Sequence, residues 1–449
     1  MNFSPRSLRR ISWRDISICL FTFILVSAVT VQTGFAVDGQ IDILPSSTSG
    51  YTINQPGSYV LVADVTISAQ GTDGIVINAN NVTLDLNGHI LRGPNAGAGV
   101  GINHTGSKGY QCRIFNGKVA YFNTGIKLNA DSTVENMTVS SNLADGIETA
   151  SSCKIYNCIL TFNGDNGIST GSGCIIDGCN ASANNLNGNK AGFKINANSF
   201  IKNCISQYNS PSIGNDQAAY GINAGTNCKI INNHVTKLQT SASANPGFVY
   251  GIAAGAHSEI RGNSVIDNTC ASDNSLCCGI KAASDSTIRG NICNKNKVSG
   301  SSSYATGIYC TDRCLVENNQ CNENICTVGS NGNNGKGIEV IGAESIIIGN
   351  SCSGNRGINL SSIGIHIRGD GARVENNFCS SHTGASGANY GILVDNTDCV
   401  VIGNRTTNNS TKGIAFTGTG NYVAENTLSD GIDAGTNTVG TGDRSNITF

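Results

Sequence analysis

Four side chains able to move or hold a proton follow one another at near-constant spacing: Lys281, Tyr309, Glu339 and His366, separated by 28, 30 and 27 residues. Each stands two residues after a glycine that is itself followed by Ile, at Gly279, Gly307, Gly337 and Gly364. An ammonium, a phenol, a carboxyl and an imidazole in one column offer a general acid and a general base. The same column is also a polar strip along which a sugar chain can be held. Arg368 falls two residues beyond His366, on the same face in a period-two pattern. Earlier in the chain the column reads Lys127 then Glu148, the neighbouring opposite charges of an exposed face stabilised by cross-strand pairs. A proton-transferring or sugar-holding strip and a plain solvated face are therefore the two readings of this column.

The column exists only if the units carrying it are stacked. The Gly-Ile or Gly-Phe opening recurs at Gly74, Gly101, Gly125, Gly146, Gly167, Gly192, Gly221, Gly251, Gly279, Gly307, Gly337, Gly364, Gly391 and Gly413, fourteen units 21 to 30 residues apart. A repeat of this length means a solenoid. No unit holds ten residues of helical spacing, whereas each holds runs of three to five residues with period two. In "GIKLNADSTVEN", Ile126 and Leu128 point one way and Lys127 and Asn129 the other. Asn, Gly, Asp and Ser fill the gaps, as turns require. The expected fold is all-β, a single parallel β-helix of about fourteen rungs, with two or three short strands per turn.

Stacking predicts ladders, because equivalent residues lie about 4.8 Å apart along the axis. One column reads Cys112, Ser132, Cys153, Cys174, Ser199, Cys228, Ser258, Ser286 and Cys314; another runs Cys158, Cys179, Cys204 and then Asn233, Asn263, Asn291, Asn319, Asn350, Asn377, Asn404 and Asn426. Two residues further on stand Cys293, Cys321, Cys352 and Cys379. These cysteines read as small packed hydrophobes rather than a disulfide framework. Cys270, Cys277, Cys278 and Cys326 fall between the expected strands and are the better disulfide candidates.

Residues 1–36 stand apart. Four arginines precede the apolar run "ISICLFTFILVSAVTV", and "GFA" closes the segment, the pattern of a secretory signal peptide. An uncleaved anchor is the alternative, but the run is short of the roughly 20 residues that a spanning helix needs. Residues 37–73 then form an entry or cap segment, 74–435 the repeats and 436–449 a tail. The expected location is secreted, periplasmic or at the cell surface, with no membrane span in the mature chain. Charged residues make up only 13% and the net charge is −2, so no basic field argues for nucleic acid.

The stretch "GYTINQPGSYVLVADVTISAQGTDGIVINANNVTLDLNGHILRG" (Gly50–Gly93), with "NNVTLDLNGH" inside it, is similar to the entry segment of secreted bacterial right-handed parallel β-helix proteins. These are the pectin-lyase-like group, with its carbohydrate-binding and sugar-hydrolase repeat family and the NosD-like proteins. The resemblance covers about residues 40–435 and implies a right-handed helix with three sheets. It implies no single activity, because lyases, hydrolases, epimerases and binding proteins share the scaffold. The motifs of its enzymes are missing: His89 follows Gly88 but precedes Ile90, no Asp-Asp occurs, and no Tyr-Gly-x-Asp-Pro run is present. No Cys-x-x-Cys or His-x-His pattern supports copper, so no metal and no cofactor is expected. From Gly192 to Gly391 the units lengthen just before the next glycine, where Tyr220, Tyr250 and Tyr390 end loops and Tyr304 lies within one. Such tyrosines offer flat faces to sugar rings, or pack on the neighbouring loop. Arg368-Gly369-Asp370 matches a cell-adhesion tripeptide, but the pattern places Arg368 on a strand rather than at a protruding tip. The functional expectation is a polysaccharide or cell-surface glycan binder, or a surface structural protein, without catalysis. The alternative is a diverged polysaccharide lyase, hydrolase or epimerase using Lys281, Tyr309, Glu339 and His366.

Overall fold

The computed structural model describes residues 39–448, apart from 96, 98, 107–110, 185–189, 211–217, 241–246, 301–302, 328–333, 359–360, 385–386 and 441–444. The expected signal segment, 1–36, lies outside the described residues. Within the compact unit 42–449 the fold is a parallel β-solenoid, and the described residues contain no helix.

Sixteen strands, from Tyr51–Ile53 to Ile432–Asp433, pair each with the next to make one continuous parallel sheet. The fourteen opening glycines lie in, or immediately before, fourteen consecutive strands of it. A second assembly of 25 strands, with a separate sheet of five that begins at Ser351–Ser353, takes the other sides of the turns. Within it the register joins Val134, Ile155, Ile176, Ile201, Ile230, Ile260 and Ile288 into one interior column. All seven are fully buried. The lengthened units add a small sheet of Gln239–Thr240, Thr269–Cys270, Lys297–Val298 and Ile325–Cys326. Parallel pairing begins already in the entry segment, where Tyr51–Ile53 lies on Ile75–Ile77. It continues past 435, where Thr438–Val439 lies against Tyr422–Ala424.

The glycine repeat has a steric cause. A Cβ at Gly307 would sit 2.6 Å from the carbonyl oxygen of Gly337, and one at Gly337 would sit 2.5 Å from that of Gly364. Both obstacles are backbone, so neither can yield. Each opening glycine thus lets the next rung approach to sheet spacing.

The polar ladders satisfy the interior. The Asn233 amide donates to Asn263 Oδ1 at 3.0 Å, Asn263 to Asn291 at 3.0 Å and Asn291 to Asn319 at 2.9 Å. A second ladder runs beside it: Asn142 donates to Asn163 at 2.8 Å, Asn268 to Asn296 at 2.9 Å and Asn296 to Asn324 at 3.0 Å. Each buried amide is thereby both donor and acceptor.

All eighteen cysteines of the described residues are free and buried. This corrects the expectation for Cys270, Cys277, Cys278 and Cys326. They lie on strands Thr269–Cys270, Leu276–Ala282 and Ile325–Cys326 rather than in loops. The first strand of the lengthened unit begins early enough to take in Cys277 and Cys278, and the small added sheet takes in Cys270 and Cys326.

Candidate functional site

Five successive first strands in the lengthened half are seven residues long: Ala218–Ala224, Phe248–Ala254, Leu276–Ala282, Tyr304–Cys310 and Asn334–Val340. Strict alternation fails at the glycine in each. In Tyr304–Cys310, Ala305, Ile308 and Cys310 all belong to the core, so two inward residues are three apart. The strand bends at Gly307 and its outer side becomes concave. Residues one before and two after the glycine then converge on the outside of the solenoid. Two columns face each other across this bend. One reads Tyr220, Tyr250, Cys278, Thr306, Lys336, Ile363 and Tyr390. The other is the column of Lys281, Tyr309, Glu339 and His366.

The convergence is closest at Gly337. Lys336 Nζ lies 2.6 Å from Glu339 Oε1, and their side chains are only 4% and 6% exposed. His366 on the next rung places Nδ1 3.7 Å from Glu339 Oε1 and Nε2 2.6 Å from Asp395 Oδ2. Arg368 Nη1 reaches Glu339 Oε1 at 3.5 Å while staying half exposed. Thr417 donates to Asp395 Oδ1 at 2.9 Å. Burial alone would raise the Asp395 carboxyl, but the bond from His366, the Thr417 hydroxyl and the Arg368 charge outweigh it. The carboxyl is held below its usual range and is ionised. Burial, and then the Glu339 charge, push the Tyr309 phenol up, so it remains a neutral hydroxyl. With Leu276, Tyr304 and Asn334 these groups line a cleft of about 440 Å³.

Along the axis the cleft gives way to an aromatic stack in which Tyr250 is itself buried. The Tyr220 and Tyr250 rings stack with centroids 5.3 Å apart, and Phe248 stacks on Tyr250 at 6.1 Å. The Lys281 ammonium stands 4.9 Å above the Tyr250 ring, a cation–π contact. Tyr220, Tyr250 and Lys281 line a second, smaller hollow of about 280 Å³. At the other end Tyr390 packs on an outer apolar patch of Ile363, Leu393 and Ala415.

The structure therefore groups Tyr304, Tyr309, Glu339, His366 and Arg368, and sets Lys281 with Tyr220 and Tyr250 in the neighbouring hollow. Three expectations are corrected. Glu339 and His366 do not face open solvent; both are buried. Their column is exposed only where the first strands are short, as at Lys127 and Lys194. The four tyrosines are not loop residues. Tyr220, Tyr250 and Tyr390 lie on first strands, and Tyr304 begins one. Arg368 comes immediately after strand Ser362–Ile367 rather than on it. Much of the lengthening before each glycine lies outside the described residues.

Lys336, Asp395, Asn334 and Leu276 escaped the sequence reading. Lys336 precedes a repeat glycine, and period-two counting from Ile338 would point it inward. Only the bend at Gly337 turns it out. Asp395 lies four residues after Gly391, and the diagonal reach to His366 depends on the rung stacking. The outer ion pairs elsewhere, Lys127–Glu148 and Lys202–Asp177 at 3.1 Å and Arg289–Glu317 at 2.7 Å, are partly exposed ladder pairs of small individual weight.

In comparison with known proteins, no family model matches the chain and no curated protein matches it.

Proposed function

We propose that the protein is a secreted or surface-displayed glycan-binding β-solenoid, and that the bound chain lies along the concave outer face of the first sheet. The observation that carries this reading is the continuity of the face. Stacked Tyr220 and Tyr250 lead directly into the cleft of Tyr304, Tyr309, Glu339, His366 and Arg368. The exposed Tyr304 ring beside converging polar groups suits sugar rings, which present an apolar face and a rim of hydroxyls. One rung per about 4.8 Å repeats the contact at a spacing close to that of successive sugars in an extended chain. The likeness of Gly50–Gly93 to the pectin-lyase-like entry segment agrees with this reading.

A second reading, a polysaccharide-active enzyme, is favoured by one specific feature. Glu339, His366 and Tyr309 are three proton-transferring groups at the most enclosed point of the face. The test covers both. Purified protein is screened against a polysaccharide panel for binding and for released sugar ends, then compared with a variant carrying Tyr309→Phe, Glu339→Gln and His366→Ala. A binder loses affinity and shows no turnover in either form. An enzyme loses about a hundredfold or more of its turnover. Unchanged binding and turnover in the triple variant would place the activity elsewhere on the molecule.

A further inference from the structure

The two remaining long faces of the solenoid differ sharply in charge. In the third strands of the turns, such as Ile159–Thr161, Asn180–Ser182 and Ile205–Gln207, the middle residue is buried and its two neighbours point outward. Direct register carries this pattern over seven rungs, from Thr138 to Ile292. None of the fourteen outward positions is Lys, Arg, Asp or Glu; they are hydroxyls, amides, isoleucines and His234. On the second strands of the same seven turns, eight of the fourteen outward positions are charged. A face free of ions over about 29 Å suits an occupant without charge, since an ion pressed against it would lose water and meet no partner.

The apolar groups of this face follow a doubled period. The residue that turns the chain after each third strand lies in the left-handed region, and on successive rungs it is Ser141, Phe162, Ala183 and Tyr208. The two aromatic residues are 59% and 49% exposed. Ile159 and Ile205, which open the same two strands, are exposed as well, while the rung between them offers Asn180 and Ala183. Bulky apolar rungs therefore recur about 9.6 Å apart, with a small rung between. The turn itself does not require the rings, because Ser141 and Ala183 make it equally. Lys237 donates to the Tyr208 hydroxyl at 2.7 Å, which tethers that ring and still leaves it half exposed.

A neutral β-1,4-linked polysaccharide has the matching properties. It extends as a ribbon of rings with apolar faces and hydroxyl rims, and its two-sugar repeat is close to the length of two rungs. A second copy of the chain matches less well. Seven rungs by about five residues cover about 29 by 16 Å, little more than half of what each partner gives to a standard protein interface. We infer that the third-strand face holds a neutral β-1,4-linked polysaccharide lying along the solenoid axis, with Phe162 and Tyr208 against alternate sugars and the hydroxyl and amide side chains along its rim. This is a second face, apart from the first-sheet cleft, and it stands independently of what the cleft binds.

The experiment measures retention of the full chain on insoluble cellulose, chitin and mannan, with a β-1,3-glucan, whose chain coils, as the counter-polymer. At least one β-1,4-linked polymer is expected to retain the protein, with a partition coefficient that moves by less than about twofold between about 20 and 500 mM NaCl. Phe162→Ala with Tyr208→Ala should lower that coefficient by about tenfold or more. Circular dichroism checks the sheet; if the alanine pair disturbs it, Phe162→Ser with Tyr208→Ser, the residue this turn already uses at Ser141, takes its place. Phe162→Ala with Ala183→Tyr keeps two rings but sets them one rung apart, and should not restore retention. Restored retention would overturn the assigned period. Retention on none of the β-1,4-linked polymers, stronger retention on the β-1,3-glucan, or retention that fades with salt overturns the inference. Self-association in sedimentation velocity that the double change abolishes, without retention on any polymer, would give the face to a second copy instead. If the triple change Tyr309→Phe, Glu339→Gln and His366→Ala abolishes retention and the Phe162–Tyr208 change does not, the polymer lies in the cleft; this inference then falls while the glycan-binding reading stands.

Discussion

Lys336 and Glu339, three residues apart on one strand, form a 2.6 Å ion pair on the outside of the solenoid, yet both side chains are more than nine-tenths buried. A straight strand would send residues i and i+3 to opposite faces. Here the bend at Gly337 sets both on the concave side, where Tyr304 lies over the Lys336 ammonium at 5.5 Å. The lengthened first strands thus convert part of a solvated charge ladder into a lined cleft.

Breaking that pair from one side should be costly. Lys336→Met leaves Glu339 buried, with only Arg368 and His366 as more distant partners, and is expected to lower stability by about 3 kcal/mol. The double change Lys336→Met with Glu339→Leu should recover most of the loss, because no unpaired charge then remains. Urea unfolding followed by circular dichroism measures both. A single variant as stable as the unaltered chain would show that the pair is not desolvated in solution.

His382 should make the solenoid acid-sensitive. It occupies an asparagine position in the second ladder, with its backbone N–H donating to Asn409 Oδ1 at 3.2 Å. Only backbone groups of Asn355 and Cys352 approach its ring, and they favour the charged form less than burial disfavours it. Burial lowers the imidazole from its ordinary 6.5 to about 4. The folded form therefore keeps the ring neutral, while the unfolded chain takes up a proton once pH drops below 6.5. Stability is undiminished above that value and falls as pH is lowered from 6.5 towards 4, by about 3 kcal/mol in full. His382→Asn, which matches Asn355 and Asn409 on either side, should flatten the profile over that window. Melting temperatures of both proteins from pH 7 to 4 provide the comparison, and parallel curves would rule out His382 as the cause.

Gly307→Ala should damage the stack far more than an exposed-surface change. Its Cβ would approach the Gly337 carbonyl oxygen to 2.6 Å, the Asn324 amide to 2.9 Å and the Cys321 Cβ to 3.0 Å. Overpacking of this kind costs about 1–3 kcal/mol. Gly88→Ala meets no heavy atom within 4 Å and strains only its own left-handed backbone, φ +79°. A larger drop in melting temperature for Gly307→Ala than for Gly88→Ala is expected, and the reverse order would mean that the rungs are not in close register at Gly307.

The thiols should be silent in the native protein. All eighteen are buried, and burial pushes Cys112 up to about 11 and Cys326 up to about 12; Cys174 and Cys352 are lowered by hydrogen bonds from neighbouring thiols but are enclosed, so no reagent reaches them. A thiol reagent at pH 8 should label the eighteen described cysteines only after denaturation. Few thiols in denatured, unreduced protein would reveal disulfides formed between rungs.

The sequence by itself determined the solenoid. Gly-Ile or Gly-Phe openings, period-two runs and turn residues recur in fourteen units. Parallel stacking follows, because each unit's strand edges can be satisfied only by the next. The interior columns were equally legible: a position that reads Cys, Ser or Asn in every unit must be a ladder. Tertiary structure alone decided the candidate site. Period-two counting holds only for a straight strand, and the first strands of the long units bend at their glycines. That bend turned Lys336 outward, buried Glu339 and His366, and moved the tyrosines from loops to a strand face. Asp395 was invisible for a different reason. Its bond to His366 runs diagonally between rungs, a relation fixed by stacking offset and side-chain reach, neither of which is written in spacing along one chain.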